Sequence, residues 1–165
     1  MKKIIVTGGL GFIGSNLIGL LLKKKYSVLN IDKISYSSSF YNVKEFKDSK
    51  NYKFIKCDIN NKKIKNIILK YKPNIIFNLA AETHVDRSID NPKNFIDSNI
   101  MGTYNLLECF RNFSKKNNTK LIHISTDEVY GDILKGRTGE NYPYNPSSPY
   151  AASKAASDHL VSSYI

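Results

Sequence analysis

The feature that most constrains the fold is a glycine-rich stretch, VTGGLGFIGSN, which begins at residue 6. Gly8, Gly11 and Gly14 are spaced three apart, after a short apolar run and before a segment of helical period. Glycines in this context let the backbone approach a pyrophosphate that lies at a helix N-terminus. The stretch therefore predicts a dinucleotide site, and a tight turn without a ligand is the alternative interpretation.

Short apolar runs alternate with segments of helical period, which predicts the α/β class and a doubly wound parallel sheet, the Rossmann fold. We expect strands, several of them apolar enough to be covered on both faces, at 3–7, 27–32, 53–57, 74–79 and 120–125. We expect helices at 12–25, 61–71, 93–113 and from about Ser148 to the last residue. The composition of the remaining long stretches predicts a loop or irregular helix at 33–52 and a surface loop at 131–149.

The length of 165 residues fits one domain, and 41% apolar residues are enough to build a core. The last helical pattern reaches Ile165 with no glycine or proline to end it. We therefore expect residues 1–165 to form one nucleotide-binding Rossmann domain that stops before its last strands. Such a chain would be the front part of a longer polypeptide.

The formal net charge of +11 raises the possibility of a nucleic-acid or membrane-surface partner. Nearly all of the positive charge is lysine, scattered among asparagines and isoleucines, and the arginines are Arg87, Arg111 and Arg137. Nucleic-acid recognition favours arginine forks. A solvated surface of biased composition is therefore the better interpretation, and we expect no nucleic-acid partner.

The uncharged segment Ile4–Leu22 is flanked by lysines and is long enough to suggest a membrane span. Its five glycines and three polar side chains make a poor apolar helix, so we expect no membrane segment. Cys57 and Cys109 lie far apart, which predicts a reduced pair in a cytoplasmic protein. No metal-ligand spacing surrounds the histidines, so we expect no metal site.

An acidic residue ends the second predicted strand, and another follows the third. Asp32 lies eighteen residues beyond Gly14, about where a carboxylate takes the hydroxyls of the adenosine ribose. A carboxylate there repels a 2′-phosphate and favours NAD over NADP, although the adjacent Lys33 weakens that argument. Asp58 and Ile59 could flank the adenine, and an equally good interpretation makes Asp58 the N-cap of the next helix.

The sequence SPYAASKAASDHL places Tyr150 and Lys154 four residues apart on one helical face. A neighbouring ammonium and a positive nicotinamide would favour the phenolate of a tyrosine, whose ordinary pKa is near 10. Tyr-x-x-x-Lys after a dinucleotide motif therefore predicts proton removal from an alcohol during hydride transfer. A pair of solvated surface residues is the alternative.

The run HISTDEVYGD ends an apolar strand in Thr126, Asp127 and Glu128. Open α/β sheets place their chemistry at the carboxyl ends of strands, so two adjacent carboxyl groups there predict an acid and a base. Burial and mutual repulsion can separate the pKa values of such a pair. The alternative is that one carboxylate caps the next turn.

Together these motifs resemble the nucleotide-sugar 4,6-dehydratases of the extended short-chain dehydrogenase/reductase family. The matching stretches span nearly the whole chain and are GGLGFIGSN, IDKISY, CDI, NLAAETHVDRSIDNP, SNIMGTYNLLE, HISTDEVYGD and SSPYAASKAASDHLV. Small departures from the family pattern at Leu10 and at 35–37 remove no functional group. The resemblance implies bound NAD, a nucleotide-sugar substrate, and a homodimer that packs through 93–113 and 150–165. It also implies a C-terminal region that binds the nucleotide part of the substrate, which we expect to be absent from residues 1–165.

The resemblance also implies roles for individual residues. Tyr150 would take the proton of the sugar's C4 hydroxyl, and Lys154 would hold the nicotinamide ribose and lower the tyrosine pKa. Asp127 would be the protonated acid and Glu128 the ionised base of a water elimination, while Thr126 would hydrogen-bond O4. Thr83 would contact the substrate. The implied cofactor contacts include both Tyr150 and Lys154, and the others are Gly8, Gly11, Phe12, Ile13, Gly14, Asp32, Lys33, Asp58, Ile59, Leu79, Ala80, Ala81 and Ser98.

Two further functions stay open. A sibling nucleotide-sugar 4-epimerase or UDP-glucuronate decarboxylase shares the glycine loop, Tyr150 and Lys154, but would leave Asp127 and Glu128 without a task. A catalytically silent NAD-binding fragment is the other alternative.

The remaining charged side chains carry less information. His84, Asp86 and Arg87 form a charged loop that either contacts substrate or holds an internal ion pair. His123 lies within an apolar strand, which predicts a histidine of the core.

Overall fold

The computed structural model describes residues 1–164, which form a five-stranded sheet whose strands are all parallel. The strands stand in the order β3-β2-β1-β4-β5. They are β1 Lys3–Thr7, β2 Ser27–Asp32, β3 Tyr52–Lys56, β4 Ile75–Asn78 and β5 Lys120–His123. This arrangement confirms the predicted doubly wound sheet, although β4 and β5 are shorter than expected and β3 begins one residue earlier.

Six α-helices connect and cover the strands of the described chain. They are α1 Phe12–Lys23, α2 Lys63–Tyr71, α3 Val85–Asp90, α4 Pro92–Phe95, α5 Gly102–Ser114 and α6 Pro149–Ser163. The predicted helix at 93–113 is interrupted, because a wider π-helical segment, Ile96–Met101, separates α4 from α5. Helix α3 was predicted as a loop, since its single turn and a half is too short to show a helical period.

The core has two halves, because successive side chains of a strand point to opposite faces of the sheet. Ile5 packs with α2 and α5 on one face, whereas Ile4 and Val6 pack with α1 on the other. Strands β1 and β2 are covered on both faces, as predicted. Strands β3 and β5 lie at the two edges of the described sheet and expose some of their residues.

The long connections match their predictions. One short 3₁₀ helix, Phe40–Val43, lies in the stretch 33–52, and residues 131–148 hold no helix or strand. Ser148 begins α6 because its hydroxyl accepts a hydrogen bond from the amide of Ala151 at 3.1 Å. Helix α6 ends at Ser163, and Ile165, to which we expected the helix to run, lies outside the described residues.

The chain crosses between the two halves of the sheet at β1 and β4. The sheet order reverses here, so the loops that follow these two strands diverge and leave a crevice at the carboxyl edge. Thr7 and Asn78 face each other at the strand ends, where the threonine hydroxyl donates to the asparagine carbonyl at 2.7 Å. Ile4–Leu22 is divided between β1 and α1, and within residues 1–164 no helix has the length and apolarity to cross a membrane.

Candidate functional site

A cavity of about 430 Å³ occupies the crevice beside β1 and β4. Every residue that we expected to contact the cofactor lines it, and so does Thr83. The residues that sequence reasoning did not assign are Ile31, Ser35, Ser37, Ser38, Cys57, Ile124 and Ser125. The sequence could have indicated the three serines, since they lie within six residues of Asp32 in the same polar stretch.

The glycine loop forms the floor of the crevice and leaves no room for side chains at two positions. Gly8 has φ +70°, and a Cβ on it would lie 2.8 Å from the carbonyl oxygen of Leu79 after β4. A Cβ on Gly14 would lie 2.3 Å from the carbonyl oxygen of Gly8. No side chain caps α1 at Gly11, so the first amide groups of the helix remain available to an anion in the crevice. This geometry fits a pyrophosphate.

Asp32 is 5% exposed and organises the end of the crevice at which we expect the adenosine. Its carboxylate accepts hydrogen bonds from the amides of Leu10 at 3.0 Å and Ile34 at 2.8 Å, and from the Ser38 hydroxyl at 2.8 Å. A carboxylate has about four acceptor positions, so about one remains for a ribose hydroxyl. Asp32 therefore also holds the glycine loop against the loop after β2, a structural task that its spacing did not predict.

Lys33 forms an ion pair that spans the crevice. Its Nζ lies 2.6 Å from Oε1 of Glu82 and donates to the hydroxyl of Ser98 at 2.7 Å. Sequence reasoning missed Glu82, although it is the first charged residue after β4 and directly precedes Thr83. Asn99 holds the backbone of Glu82 through two hydrogen bonds of 2.8 and 3.0 Å.

Asp58 lines the crevice but does not cap the next helix. Its Oδ1 accepts the amide of Asn60 at 2.8 Å and closes a turn, whereas the N-cap of α2 is Lys62. The capping interpretation is therefore wrong for the helix itself. Ile59 is 4% exposed and packs in the same hydrophobic cluster as Ile31.

Tyr150 and Lys154 enter the cavity from the first turns of α6, and both are buried. Burial raises the pKa of Tyr150, the charges of Glu128 and Asp127 raise it further, and the hydroxyl of Thr126 opposes them. Burial lowers the pKa of Lys154, whose Nζ donates to the carbonyl oxygen of Ile124 at 2.5 Å. Desolvation therefore opposes the expected lowering of the tyrosine pKa, which stays a prediction for the site with its nucleotide bound.

Asp127 and Glu128 begin a short 3₁₀ helix, Asp127–Tyr130, that packs against α6. Thr126 caps this helix by accepting the amide of Glu128 at 3.3 Å, so neither carboxylate is used as a cap. Both carboxylates are exposed. Neither residue lines the cavity, and the nearest preceding residue in the chain that does is Ser125. Partial burial and the charge of Asp127 raise the pKa of Glu128. That direction does not favour the expected division, in which Glu128 is the ionised partner.

His123 is a core histidine, as predicted. Its Nδ1 lies 3.0 Å from the side-chain nitrogen of Asn78, and its Nε2 faces the carboxylate of Asp158 at 3.6 Å. Burial and the charge of Lys154 lower the pKa of His123 to about 4, while Asp158 opposes them. Asp158, which sequence reasoning missed, also accepts hydrogen bonds from Ser125 and from Tyr144, and so ties α6 to the end of β5.

The charged residues around α3 do not form the ion pair that we considered. The guanidinium carbon of Arg87 lies 3.8 Å from the ring centroid of Tyr36, an arrangement typical of a cation–π contact. In residues 1–164 no salt bridge joins Arg87 to Asp86. Arg87 therefore links the loop after β2 to the segment after β4, on the same side of the sheet as the crevice.

Comparison with known proteins places this arrangement in a family. A family model described as GDP-mannose 4,6 dehydratase matches residues 5–165. The chain belongs to this family. Membership agrees with the resemblance to nucleotide-sugar 4,6-dehydratases that the motifs of the sequence indicated.

Individual relatives and solved structures are consistent with membership in this family. The chain is 46% identical over 176 residues to dTDP-glucose 4,6-dehydratase of Haemophilus influenzae, covering 99% of this chain and 52% of the relative. It matches the NAD complex of the Bacillus anthracis enzyme of the same name with TM-score 0.87 and 39% identity, over 99% of this chain and 50% of that one. A UDP-glucose 4-epimerase of Thermus thermophilus in complex with NAD matches with TM-score 0.87 and 33% identity, over 98% and 50%. The chain thus spans about half the length of these relatives.

Proposed function

We propose that this chain binds NAD in the crevice and carries the oxidation and elimination residues of a dTDP-glucose 4,6-dehydratase. Such an enzyme converts dTDP-glucose to dTDP-4-keto-6-deoxyglucose and water. One observation carries the proposal: Tyr150, Lys154 and the glycine loop line the same cavity. Ser125, which also lines it, directly precedes Thr126, Asp127 and Glu128 in the chain.

The crevice suits NAD by its steric and electrostatic features. Gly8 and Gly14 keep the space in which a pyrophosphate would lie, next to the open N-terminus of α1. The carboxylate of Asp32 retains an acceptor position for a ribose hydroxyl. When bound, NAD would accept a hydride from C4 of the sugar and later return it to C6, while C5 regains a proton.

The oxidation requires a group that removes the proton of the C4 hydroxyl. Tyr150 would take this proton on its phenolate oxygen. Because the pKa of Tyr150 is raised in the structure, the buried ammonium of Lys154 and the bound nucleotide would have to supply the stabilisation of the phenolate. Lys154 would also donate a hydrogen bond to the nicotinamide ribose, in place of its hydrogen bond to the carbonyl oxygen of Ile124.

The elimination removes a proton from C5 and a hydroxyl group from C6. The 4-keto group acidifies C5–H, and Glu128 would accept this proton, since a carboxylate with a raised pKa is a stronger base. Asp127 would donate the proton with which the C6 hydroxyl leaves as water. A substrate bound over both carboxyl groups would exclude solvent from them. The two carboxylates would then repel each other more strongly, which favours the state in which one of them is protonated.

A sibling activity, 4-epimerase or UDP-glucuronate decarboxylase, is the second candidate, favoured by the equally close likeness to the epimerase fold. The two carboxylates separate the candidates, because neither sibling reaction eliminates water. The test is incubation of the full-length enzyme with dTDP-glucose, followed by the alkali-induced absorbance of a 4-keto-6-deoxy product. Formation of a galactosyl product instead would contradict the dehydratase.

Nucleotide binding without turnover is the third candidate, because the chain spans only half of its relatives' length. Calorimetric titration of residues 1–165 with NAD, beside a turnover assay of the same protein, tests it. We expect NAD to bind. Binding without turnover would support the fragment interpretation for this chain, and efficient turnover would exclude it.

We also propose a cytoplasmic homodimer that packs through α5, α6 and the π-helical segment between α4 and α5. Met101 and Tyr104 are both 44% exposed on these helices, which leaves apolar area for a second copy. Cys57 and Cys109 are free thiols, which suits a reducing compartment. Light scattering of the purified protein would show twice the mass of the chain.

A further inference from the structure

We propose that Glu82 sets the cofactor preference of this chain by holding the ammonium group of Lys33 away from the adenosine ribose. The inference rests on the proposed binding of NAD and adds a specificity-determining residue that lies outside the glycine loop. It concerns the choice between NAD and NADP, which differ by one phosphate on the 2′ oxygen of that ribose.

The adenosine end of the crevice contains the groups from which a phosphate site is built. Lys33 follows the predicted ribose acceptor Asp32 and lines the cavity, together with Ser35, Ser37 and Ser38. An ammonium group and several hydroxyls are common ligands of phosphate oxygens in proteins. By composition alone, this end of the crevice could therefore accept a 2′-phosphate.

The structure shows these groups engaged with each other. The ammonium of Lys33 lies 2.6 Å from Glu82, and its exposed side-chain fraction is 33% against 10% for the glutamate. The Ser38 hydroxyl donates to Asp32 at 2.8 Å, and the hydroxyls of Ser35 and Ser37 lie 3.0 Å apart. With the lysine charge balanced by Glu82, the charge of Asp32 dominates near the ribose and repels a phosphate.

Glu82 is held firmly enough to act in this way. Its backbone amide donates to the side chain of Asn99 at 2.8 Å, and its carbonyl accepts from that side chain at 3.0 Å. Asn99 is 1% exposed and also donates to the hydroxyl of Ser153 on α6 at 2.8 Å. The backbone of Glu82 is therefore anchored in the core, and its side chain is nearly buried, so water screens this ion pair less than a pair of fully exposed side chains.

The variant Glu82→Gln keeps the size of the side chain and removes its charge. Lys33 would then keep only its hydrogen bond to Ser98, and it could turn toward the ribose to form a charge-assisted hydrogen bond with a 2′-phosphate. Such a bond corresponds to an increase in affinity of about ten- to a hundredfold. We expect the ratio of NADP to NAD affinity to rise by this factor.

Calorimetric titrations of the purified protein with NAD and with NADP, at one salt concentration, test the inference. The control Glu45→Gln makes the same charge change at an exposed position outside the cavity, and we expect its affinity ratio to equal that of the wild type. The double variant Glu82→Gln/Lys33→Gln should lose the gain. A Glu82→Gln variant that binds NAD but shows the wild-type ratio would overturn the inference.

The single variant Lys33→Gln gives a second, independent measurement that does not depend on the folding of the Glu82 variant. Because the lysine is already withheld, we expect the ratio of NADP to NAD affinity to change less than about threefold. A tenfold fall in the ratio would mean that Lys33 already binds the phosphate, and would overturn the inference. If the wild type binds neither nucleotide, the proposed function itself fails, which is a different result from an unchanged ratio.

Discussion

The proposed nucleotide side and the proposed reaction side of the crevice differ in how firmly the fold holds their acidic groups. On the nucleotide side, Asp32 is the last residue of β2, a strand covered on both faces; it is 5% exposed and accepts three hydrogen bonds. On the reaction side, Asp127 and Glu128 follow β5, an edge strand of the described sheet, and both are exposed.

This difference teaches that the two sides reach their function by different means. Hydrogen bonds and close packing fix the geometry of a nucleotide site before the ligand arrives. The protonation of two exposed carboxyl groups depends on the substrate that later excludes water from them. The structure of the chain therefore accounts for nucleotide binding more completely than for the division of acid and base roles.

The largest expected effect lies on the reaction side. Replacing Glu128 by Gln removes the proposed base while keeping its size, so the rate of product formation from dTDP-glucose should fall by about 10²- to 10⁴-fold. The affinity for NAD, set on the other side, should not change. Rapid-quench measurement of product, beside a calorimetric NAD titration, checks both. Product formation at the unmodified rate would show that Glu128 is not the base.

A pH dependence of stability tests His123, which connects β5 to β4 between the two sides. Its folded pKa of about 4 lies below the ordinary value of 6.5, so the unfolded chain binds the proton more readily. The free energy of unfolding should therefore be highest above pH 6.5 and fall by about 3 kcal/mol as the pH drops toward 4. Urea unfolding at several pH values, with His123→Gln as the comparison, should show a smaller fall for the variant. Equal slopes would contradict the assignment.

On the nucleotide side, Gly14→Ala places a Cβ 2.3 Å from the carbonyl oxygen of Gly8. The backbone must move, so we expect a loss of about 1–3 kcal/mol in the free energy of unfolding and weaker NAD binding. Gly139→Ala is the matched control, because a Cβ there meets no atom within 4 Å. Thermal unfolding and calorimetry measure both effects, and equal behaviour of the two variants would refute the steric argument.

The smallest expected effect concerns the N-terminus of α6, which carries Tyr150 and Lys154. Ser148→Ala removes the hydroxyl that accepts the Ala151 amide, and should lower the free energy of unfolding by about 1 kcal/mol. Ser148→Asp supplies another acceptor and should restore most of the loss. A destabilised aspartate variant would mean that the cap does not hold the helix.

Much of the fold and part of the site were predictable from local patterns. The apolar runs located all five strands, and the glycine spacing located the crevice. The π-helical segment at Ile96–Met101 was not predictable, because one extra residue in a helical turn leaves the polar and apolar pattern nearly unchanged. Short α3 was missed for the related reason that six residues are too few to establish a period.

The site residues that the sequence did not reveal were missed for a different reason, which is their distance along the chain from the residues that they contact. Glu82 meets Lys33 across 49 residues, and Asp158 reaches Ser125 across 33 residues. Both partners lie within stretches that resemble the family, but no local spacing indicates which distant residue each of them contacts, and single charged residues are ordinarily solvated. The contacts exist because the parallel sheet brings strand ends that are far apart in sequence to one edge.

The sequence by itself determined the class of fold and the residues of the crevice, because strand, turn and helix signals are local and recur at fixed spacings. Only the tertiary structure decided what each charge does. Lys33 is paired with Glu82, Asp32 is held by three donors, and Tyr150 is desolvated beside two carboxylates. Burial and neighbouring charges set the strength of an acid or a base, and both depend on which distant segments the fold brings together.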